Sequence, residues 1–265
     1  MKISVLTPSF NSEKYIIKSI ESVLVQTYQN WEHIIVDGKS NDNTVNILKR
    51  YEHLKWVSEK DKGQSDAMNK AFRMASGEII VYLNSDDFFY PSAFEKIIRT
   101  FENNKNFDIV VGNLIVFKNG IETLNNNSTI SWKDLSIIEG RFPLNPVSYF
   151  YKREVQEKIG NFPINEHYTM DYWFLLRAFY FFKPIKICAI LGCFVFDGNN
   201  KTSVISDGFS IQIPHALNFC YKYTPFRTPF VFYKLISHQR NKSEFSKIFK
   251  KGLSYMRRVK NKIKF

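Results

Sequence analysis

Cysteine is scarce in this 265-residue chain, which contains Cys188, Cys193 and Cys220. An odd number of cysteines at loose spacing fits neither a disulfide framework nor a zinc site. Such usage is typical of proteins in a reducing compartment, so we expect a cytoplasmic location.

Long apolar runs are also missing. The longest run, Ile187–Phe196, follows Lys183 and Lys186, and it is half as long as the roughly 20 residues of a transmembrane helix. The amino terminus passes directly into strand-like Ile3–Leu6, without the cationic and apolar regions of a signal peptide. The sequence therefore predicts neither a signal peptide nor a membrane span.

Several nucleotide and nucleic-acid motifs do not occur. The chain has no GxGxxG and no Walker sequence, so a dinucleotide site or a P-loop is not indicated. Nothing resembles an RRM, a zinc finger or a helix-turn-helix.

Acidic residues are nearly absent from the last 42 positions. Residues 224–265 contain twelve Lys or Arg and one acid, Glu244, and so carry +11 of the chain's net charge of +12. We expect a near-neutral domain over residues 1–223 and a basic tail over 224–265.

Apolar residues of the tail recur at roughly helical spacing between the basic ones, at Phe245, Ile248, Phe249, Leu253, Met256 and Ile263. This pattern predicts a basic amphipathic helix that binds an anionic membrane surface, which would make the protein peripheral on the inner face of the cell membrane. A disordered, solvated tail is the alternative.

The first hundred residues alternate strand and helix signals. Strands are predicted at Ile3–Thr7, Trp31–Val36, Trp56–Val57 and Ile79–Leu83, and helices at Ser12–Gln26, with Ser12 as N-cap, Thr44–Tyr51, Asp66–Ala75 and Pro91–Glu102. This order is typical of an α/β fold with a parallel sheet and right-handed crossovers. The polar loops after the strands would then gather at one edge of the sheet.

The second hundred residues give mixed signals. Asn119-Gly120 predicts a hairpin turn, and Leu124–Thr129 a loose surface loop. Helices are predicted at Arg153–Ile159, with Gly160 at the C-cap, and from Met170 to about Phe182. Ile185–Phe196 is interpreted as one strand or a strand pair.

Adjacent acids, Asp86 and Asp87, follow the apolar run Ile79–Leu83. Two neighbouring carboxylates at the carboxyl end of a buried strand repel each other, and a divalent cation would relieve this repulsion. A solvated turn is the alternative, since Asn84, Ser85 and both acids are turn-forming residues.

Five segments, in order, resemble family 2 glycosyltransferases. They are Thr7–Asn11, Val36–Thr44, Asp61–Lys70, Ala75–Glu78 and Asn84–Asp87. The resemblance covers residues 1–100 and extends more weakly to about residue 200.

This resemblance implies a GT-A fold: a Rossmann-like, mostly parallel sheet flanked by helices. Residues 1–113 would form the nucleotide-sugar-binding half and residues 114–223 a smaller acceptor-binding half. The expected activity is inverting, metal-dependent transfer of a sugar from a nucleotide-sugar, with UDP as the nucleotide. The acceptor would be a glycan or a lipid-linked saccharide of a cell-surface polysaccharide, and the cofactor Mn²⁺ or Mg²⁺.

By resemblance, Asp87 is the metal ligand, and Asp86 lies near the ribose or the water shell of the metal. The chain departs from the family at two positions. Relatives often carry an acid where Asn84 stands and a basic residue where Met68 stands.

The resemblance also assigns the donor pocket. Asp37 would accept the N3–H of uracil, although it could instead cap the following turn. Pro8 and Phe10 would flank the base, with core packing as the alternative for Phe10. Asp66 would hold the ribose, or else simply occupy a favoured first helical turn.

Thr7 and Gly63, which lie in the same matching segments, are expected to line the donor pocket as well.

An inverting transfer needs a base that takes the proton of the acceptor hydroxyl. Asp171 resembles that base, and its aromatic neighbours would raise its pKa. The alternative is an ordinary acid stabilised by the helix dipole. Tyr172 and Trp173 could stack on a sugar, and His167 is a further candidate.

Two other function classes stay open at this point. The net charge and the aromatic content would suit a nucleic-acid-binding protein, although the charge is confined to the tail. A nucleotidyltransferase also binds a nucleotide together with a metal ion. It usually has a basic, glycine-rich loop, however, where this chain has Thr7–Asn11.

Overall fold

The computed structural model describes residues 1–127, 130–137, 145–166, 168–198, 208–228 and 230–231. His167 and the amphipathic part of the tail, residues 232–265, lie outside the described residues. The predictions made for them therefore stay predictions.

The first half alternates strands and helices, as the sequence pattern predicts. Its elements are β1 (Ile3–Ser9), α1 (Ile16–Leu24), β2 (Trp31–Asp37), α2 (Thr44–Leu48), β3 (Leu54–Ser58), α3 (Gln64–Met74), β4 (Ile79–Tyr82), β5 (Phe88–Phe89) and α4 (Ala93–Asn103). The strands β3, β2, β1 and β4 pair in this order, and all three pairs are parallel. The α/β fold with a parallel sheet is thereby confirmed for this half.

The second half extends the same sheet with antiparallel and parallel strands. Its elements are β6 (Ile109–Lys118), β7 (Ile121–Asn125), α5 (Trp132–Ser136), β8 (Tyr149–Lys152), α6 (Arg153–Ile159), α7 (Met170–Phe181), β9 (Pro184–Phe196) and α8 (Gly208–Tyr223). The sheet order continues from β4 through β8, β6 and β9 to β5. The expected division at residue 113 falls inside β6, so the two halves share one sheet.

The sheet is buried on both faces, because its strands carry large apolar side chains that point alternately to one face and the other. On one face, Leu6, Ile80 and Tyr82 pack with helices α3, α6 and α7. On the other face, Val5 and Val81 pack with α4. Such a two-sided core is what near-continuous apolar strands require.

Two local predictions need correction. Ser12 does not cap α1, which begins at Ile16 after a turn and has no side-chain cap; Ser12 instead lies under the turn that carries the acids. Leu124 and Asn125 belong to strand β7 rather than to a loop, because β7 pairs with β6.

The hairpin turn at Asn119-Gly120 is confirmed. Both residues have positive φ angles, of 52° and 79°, as a two-residue hairpin turn requires. Gly160 ends α6 at φ 92°, as predicted. Ile185–Phe196 lies within one strand, β9, rather than a pair.

The search for membrane-spanning helices covers the described part of the chain. There, no helix combines the length and the apolar character that crossing a bilayer requires.

Candidate active site

The loops after the parallel strands meet at the carboxyl edge of the sheet. The amide of Gly38, after β2, donates to the carbonyl of Ser9 at the end of β1. The hydroxyls of Ser12 and Ser85 lie 2.8 Å apart and link the loop after β1 to the loop after β4.

The loop between β3 and α3 reaches the same place. Nε2 of Gln64, at the start of α3, donates to Oδ1 of Asn84 at 3.0 Å. The predicted gathering of these polar loops is therefore what the structure shows.

Asp87 is almost completely buried, with 1% of its surface exposed. Its Oδ1 accepts a 3.0 Å hydrogen bond from the amide of Val195, and its Oδ2 accepts from Nδ2 of Asn84 at 3.0 Å and Nδ2 of Asn145 at 2.7 Å. Both carboxylate oxygens are thus held by N–H donors of the protein. Three such bonds make Asp87 the fixed centre of the acidic turn.

The electrostatics of Asp87 reflect this burial. Loss of hydration raises the pKa of Asp87 well above its usual range, and the charge of Asp86 raises it further. The three N–H donors oppose both effects. A cation beside the pair would act in the same direction as the donors.

Asp86 is half-buried, in contrast to Asp87. Its charge acts on the hydroxyl of Tyr15, which donates a hydrogen bond to Asp197 just after β9. The bond to Asp197, with burial and both acidic charges, raises the pKa of Tyr15. Two carboxylates, Asp86 and Asp197, therefore lie around one tyrosine at this edge.

Asn84 explains why an amide suits a position where relatives often carry an acid. Its Oδ1 accepts from Gln64, and its Nδ2 donates to Asp87. A carboxylate at position 84 would keep the first contact, but it would repel Asp87 instead of donating to it.

Asp37 is completely buried at the end of β2. Its Oδ2 accepts from the amide of Ser40 at 2.9 Å and from the hydroxyl of Ser58 at 2.6 Å, and its Oδ1 accepts from the hydroxyl of Ser40. These contacts match the turn-capping alternative. Contact of Asp37 with a nucleobase stays a prediction.

Residues at the carboxyl end of β1 differ in their exposure to solvent. Thr7 is buried, and its hydroxyl lies 2.9 Å from Nε2 of His33. Pro8 is also buried within the strand. Phe10 is 63% exposed at the edge of the site, so the core-packing alternative does not describe it.

The start of α3 contains the remaining donor-pocket candidates. Gly63 precedes the helix at φ 106°, a conformation that favours glycine. Oδ2 of Asp66 accepts from the amide of Lys62 at 3.1 Å and lies 3.7 Å from Nζ of Lys70. Asp66 thus braces this turn in the structure.

Asp171 lies in the first turn of α7, as predicted. Burial raises the pKa of the Tyr149 hydroxyl well above its usual value, and the nearby charge of Asp171 raises it further. Tyr149 opens β8, which runs antiparallel to β4. The start of β8 and the end of β4 lie at the same edge of the sheet, and the charge of Asp171 acts on Tyr149 there.

A polar cluster holds the start of α7, which begins after Thr169. The hydroxyl of Thr169 lies 2.8 Å from Nε2 of His215 on α8 and 3.3 Å from Oε2 of Glu166. A second tie joins Asn69 of α3 to the backbone of Phe162 through two hydrogen bonds, of 2.9 and 2.8 Å. Helices α3 and α8 therefore position the segment that leads to Asp171.

Sequence reasoning missed the residues that complete the site from the second half. These are Asn145, Val195, Asp197 and Thr169, together with Tyr15 from the first half. Val195 acts through its backbone, so no residue type could have revealed it. The sequence does show Asn145 before Pro146, and Asp197 after an apolar run. Neither residue lies next to a motif that would mark it as part of a site.

The residues at this edge fit a hard divalent cation. Within the described ranges, no group of three or more His, Cys, Asp or Glu side chains could enclose a metal ion by itself. A cation that binds mainly phosphate and water needs only one or two carboxylates. The adjacent Asp86 and Asp87, with Asp197 acting on the same tyrosine as Asp86, meet this requirement.

Comparison with known proteins identifies the family. The model of glycosyl transferase family 2 matches residues 4–181. The chain belongs to this family.

Related proteins match part of this chain, and the match spans part of each related protein. It is 36% identical over 136 residues to the UDP-Glc:alpha-D-GlcNAc-diphosphoundecaprenol beta-1,3-glucosyltransferase WfgD of Escherichia coli, a match over 48% of this chain and 49% of WfgD. The chain spans about half the length of the curated relatives it matches first.

Solved structures share the fold of this glycosyltransferase. S. aureus TarS 1–349 in complex with UDP-GlcNAc matches 92% of this chain and 69% of the TarS chain, with a TM-score of 0.68 at 17% identity. The mannosyltransferase PcManGT of Pyrobaculum calidifontis, in complex with GDP-Man and Mn²⁺, matches 96% of this chain and 80% of its own, with a TM-score of 0.57 at 18% identity. The expected GT-A architecture is thereby confirmed.

Proposed function

We propose that this glycosyltransferase moves a sugar from a nucleotide-sugar, with UDP as the nucleotide, to a hydroxyl of a glycan or a lipid-linked saccharide, in the synthesis of cell-surface polysaccharide. The relative WfgD is named for transfer from UDP-Glc to a diphosphoundecaprenol-linked sugar, and TarS is solved with UDP-GlcNAc. Family membership favours this proposal over nucleic-acid binding and nucleotidyl transfer.

One observation carries the proposal: the charge of Asp171 acts on Tyr149 at the start of β8, and this end of β8 pairs beside the end of β4, after which Asp86 follows. In an inverting transfer, Asp171 takes the proton of the acceptor hydroxyl as its oxygen bonds to the anomeric carbon. The bond from that carbon to the diphosphate breaks on the opposite side, and the nucleoside diphosphate leaves with the bonding electron pair. The carboxylic acid of Asp171 then returns its proton to water.

The arrangement of the acids supports a division of roles. Asp86 is half-buried, whereas Asp87 is almost completely buried and accepts N–H donors on both oxygens. We therefore assign contact with Mn²⁺ or Mg²⁺ to Asp86, and to Asp87 the support of the turn. A divalent cation bound there would neutralise the negative charge that grows on the departing diphosphate.

The donor-pocket roles proposed for the other candidates follow their exposure. Phe10 provides an exposed aromatic face for the base, while Thr7, Pro8 and Asp37 shape the wall behind it. Gly63 and Asp66 set the start of α3, and the ribose hydroxyls are assigned to the carboxylate of Asp66.

Attachment to the inner face of the cell membrane remains part of the proposal. It rests on the basic tail, residues 224–265, and on its amphipathic pattern from Phe245 onward. Residues 232–265 lie outside the described residues. A lipid-linked acceptor would give such an attachment a purpose.

The test is release of nucleoside diphosphate from a panel of UDP-, GDP- and dTDP-sugars by the full chain, with Mn²⁺ or with EDTA. We expect release from a UDP-sugar that EDTA abolishes and added Mn²⁺ restores. NMR of the product formed with a lipid-linked disaccharide acceptor would show inversion at the anomeric carbon. Absence of release from every donor, with and without metal, would contradict the proposal.

A further inference from the structure

The position after Asp37 has no side chain, and another residue fills its space. A Cβ atom placed on Gly38 would lie 2.7 Å from Oδ2 of Asp61 and 3.3 Å from Cδ2 of Phe10. The carboxylate of Asp61 therefore occupies the place where a side chain at position 38 would stand. It lies beside the exposed ring of Phe10.

One carboxylate oxygen of Asp61 accepts a hydrogen bond within its own loop, and the other faces the space beside Gly38. It belongs to the loop between β3 and α3, and its Oδ1 accepts a 2.8 Å hydrogen bond from the amide of Gly63. Oδ2 is the atom that faces Gly38. The loop geometry thus fixes the direction of the carboxylate.

Asp37 offers a clear contrast at the same edge. It is completely buried, and both of its oxygens accept hydrogen bonds from Ser40 or Ser58. Asp61 is only half-buried. Of Asp37 and Asp61, Asp61 is the one that a ligand stacked on Phe10 can reach.

This pairing of an aromatic face with a carboxylate oxygen suits a nucleobase. A base can stack on the ring of Phe10, since every base has a π-face. The carboxylate oxygen accepts hydrogen bonds but donates none when ionised. It therefore selects a base with a ring N–H, such as uracil, thymine or guanine, and repels the ring lone pair of cytosine or adenine.

We propose that Asp61 selects the nucleobase of the donor, and that the absence of a side chain at Gly38 leaves room for the Asp61 carboxylate to reach the base. This inference rests on the proposed function, because it presupposes a nucleotide donor at this edge. It moves base selection from Asp37 to a residue of the next loop.

The variant Asp61→Asn tests base selection while it preserves the hydrogen bond that holds the loop. Asparagine keeps an oxygen that can accept from the amide of Gly63. It replaces the other oxygen with an NH₂ group, which donates to the N3 of cytosine and opposes the N3–H of uracil. The loop contact is preserved while the preference of the site is reversed.

The experiment measures the Kd of UDP and CDP for the full chain with Mn²⁺ by isothermal titration calorimetry. We expect the wild type to prefer UDP, and the ratio Kd(CDP)/Kd(UDP) to fall at least about tenfold in Asp61→Asn, a change of about 1.4 kcal/mol. Glu59→Gln is the matched control, because it removes one negative charge from the same loop at an exposed pair with Lys70. It should leave the ratio unchanged.

A second variant, Gly38→Ala, displaces the Asp61 carboxylate without changing Asp61 itself. Gly38 is outside the set of positive-φ glycines, so Gly38→Ala adds a steric contact with Asp61 rather than backbone strain. It should lower the affinity for UDP and reduce the ratio, with a melting temperature close to that of the wild type.

The outcomes are distinct. An unchanged ratio in Asp61→Asn, or a wild-type preference for CDP, overturns the assignment of Asp61 and leaves the proposed glycosyl transfer standing. Failure of the wild type to bind any nucleoside diphosphate with Mn²⁺ overturns both.

Discussion

Asn145 donates a 2.7 Å hydrogen bond from Nδ2 to Oδ2 of Asp87, although 58 positions separate the two residues. The other end of the amide is also engaged, because Oδ1 of Asn145 accepts from the amide of Val147 at 2.8 Å. The orientation of the Asn145 side chain is therefore determined, and with it the donor that faces Asp87. A residue of the second half thus sets the geometry of the acidic turn.

Replacement of Asp87 should affect stability more than replacement of Asp86. In Asp87→Asn, an NH₂ group would face the N–H donors that now serve a carboxylate oxygen, which costs about 2 kcal/mol or more of unfolding free energy. Asp86→Asn should melt close to the wild type, but lose the Mn²⁺-dependent part of nucleotide binding. Differential scanning fluorimetry and titration with UDP, each with and without Mn²⁺, measure the two effects.

The reverse pattern would contradict this division. If Asp87→Asn kept its melting temperature and lost the metal effect, while Asp86→Asn bound UDP with Mn²⁺ normally, then Asp87 would be the metal ligand, as the family resemblance first suggests.

Asp171→Asn should keep donor binding and lose transfer. An amide cannot take the proton of the acceptor hydroxyl, and loss of a general base typically lowers the rate about 10²- to 10⁴-fold. The measurements are the Kd of the donor and the rate of transfer to a saccharide acceptor. Normal turnover by this variant would remove Asp171 from the mechanism.

Thr169→Val tests how the start of α7 is positioned. Valine has a similar shape but no hydroxyl, so the contacts of Thr169 with His215 and Glu166 are lost. Because a shift of about 1 Å in a catalytic group can cost up to about 10²-fold in rate, we expect kcat to fall about tenfold with an unchanged KM for the donor.

Thr169→Ser provides the control, since it retains the hydroxyl and should restore kcat. If Thr169→Val keeps the wild-type kcat while Thr169→Ser loses activity, packing of the methyl group positions the helix rather than the polar contacts.

His33 should make the protein less stable in acid. Burial lowers the pKa of His33 to about 3, and the charge of His53 contributes, whereas an unfolded chain has a histidine pKa of about 6.5. Below that value the unfolded state binds the proton and the folded state does not, so stability falls as the pH drops from 6.5 towards 3. The slope is up to about 1.4 kcal/mol per pH unit.

His33→Gln removes this titration and keeps a nitrogen that can contact the hydroxyl of Thr7. Urea unfolding at pH 7.5 and pH 5 should show a smaller loss of stability in the variant than in the wild type. Equal losses would mean that His33 protonates within the folded protein.

The first half of the fold was predictable because each of its strands carries a local signal. An apolar run followed by a polar turn appears at Ser9, Asp37 and Asp87, and parallel pairing brings these turns to one edge. The pairing of β8, β6 and β9 was not predictable in this way, since it depends on contacts between distant segments.

The roles of individual acids were harder to predict than their positions. Asp86 and Asp87 are adjacent and of one residue type, and what distinguishes them is the donors of Asn145 and Val195. Similarly, Asp37 ends a strand as expected, but the serines around it hold both its oxygens. The glycine directly after that acid is visible in the sequence, but only the structure shows that the carboxylate of Asp61 fills the space beside it.

The hydrogen bond from Val195 to Asp87 also bears on how the protein is made. Synthesis proceeds from the amino terminus, so the ribosome releases the four parallel strands and both acids long before it reaches Asn145 and Val195. A nascent chain that ends at residue 130 has received one of the three donors of Asp87, the amide of Asn84. Competence to bind a nucleotide should therefore arise late, when the last strand of the sheet has joined its neighbours.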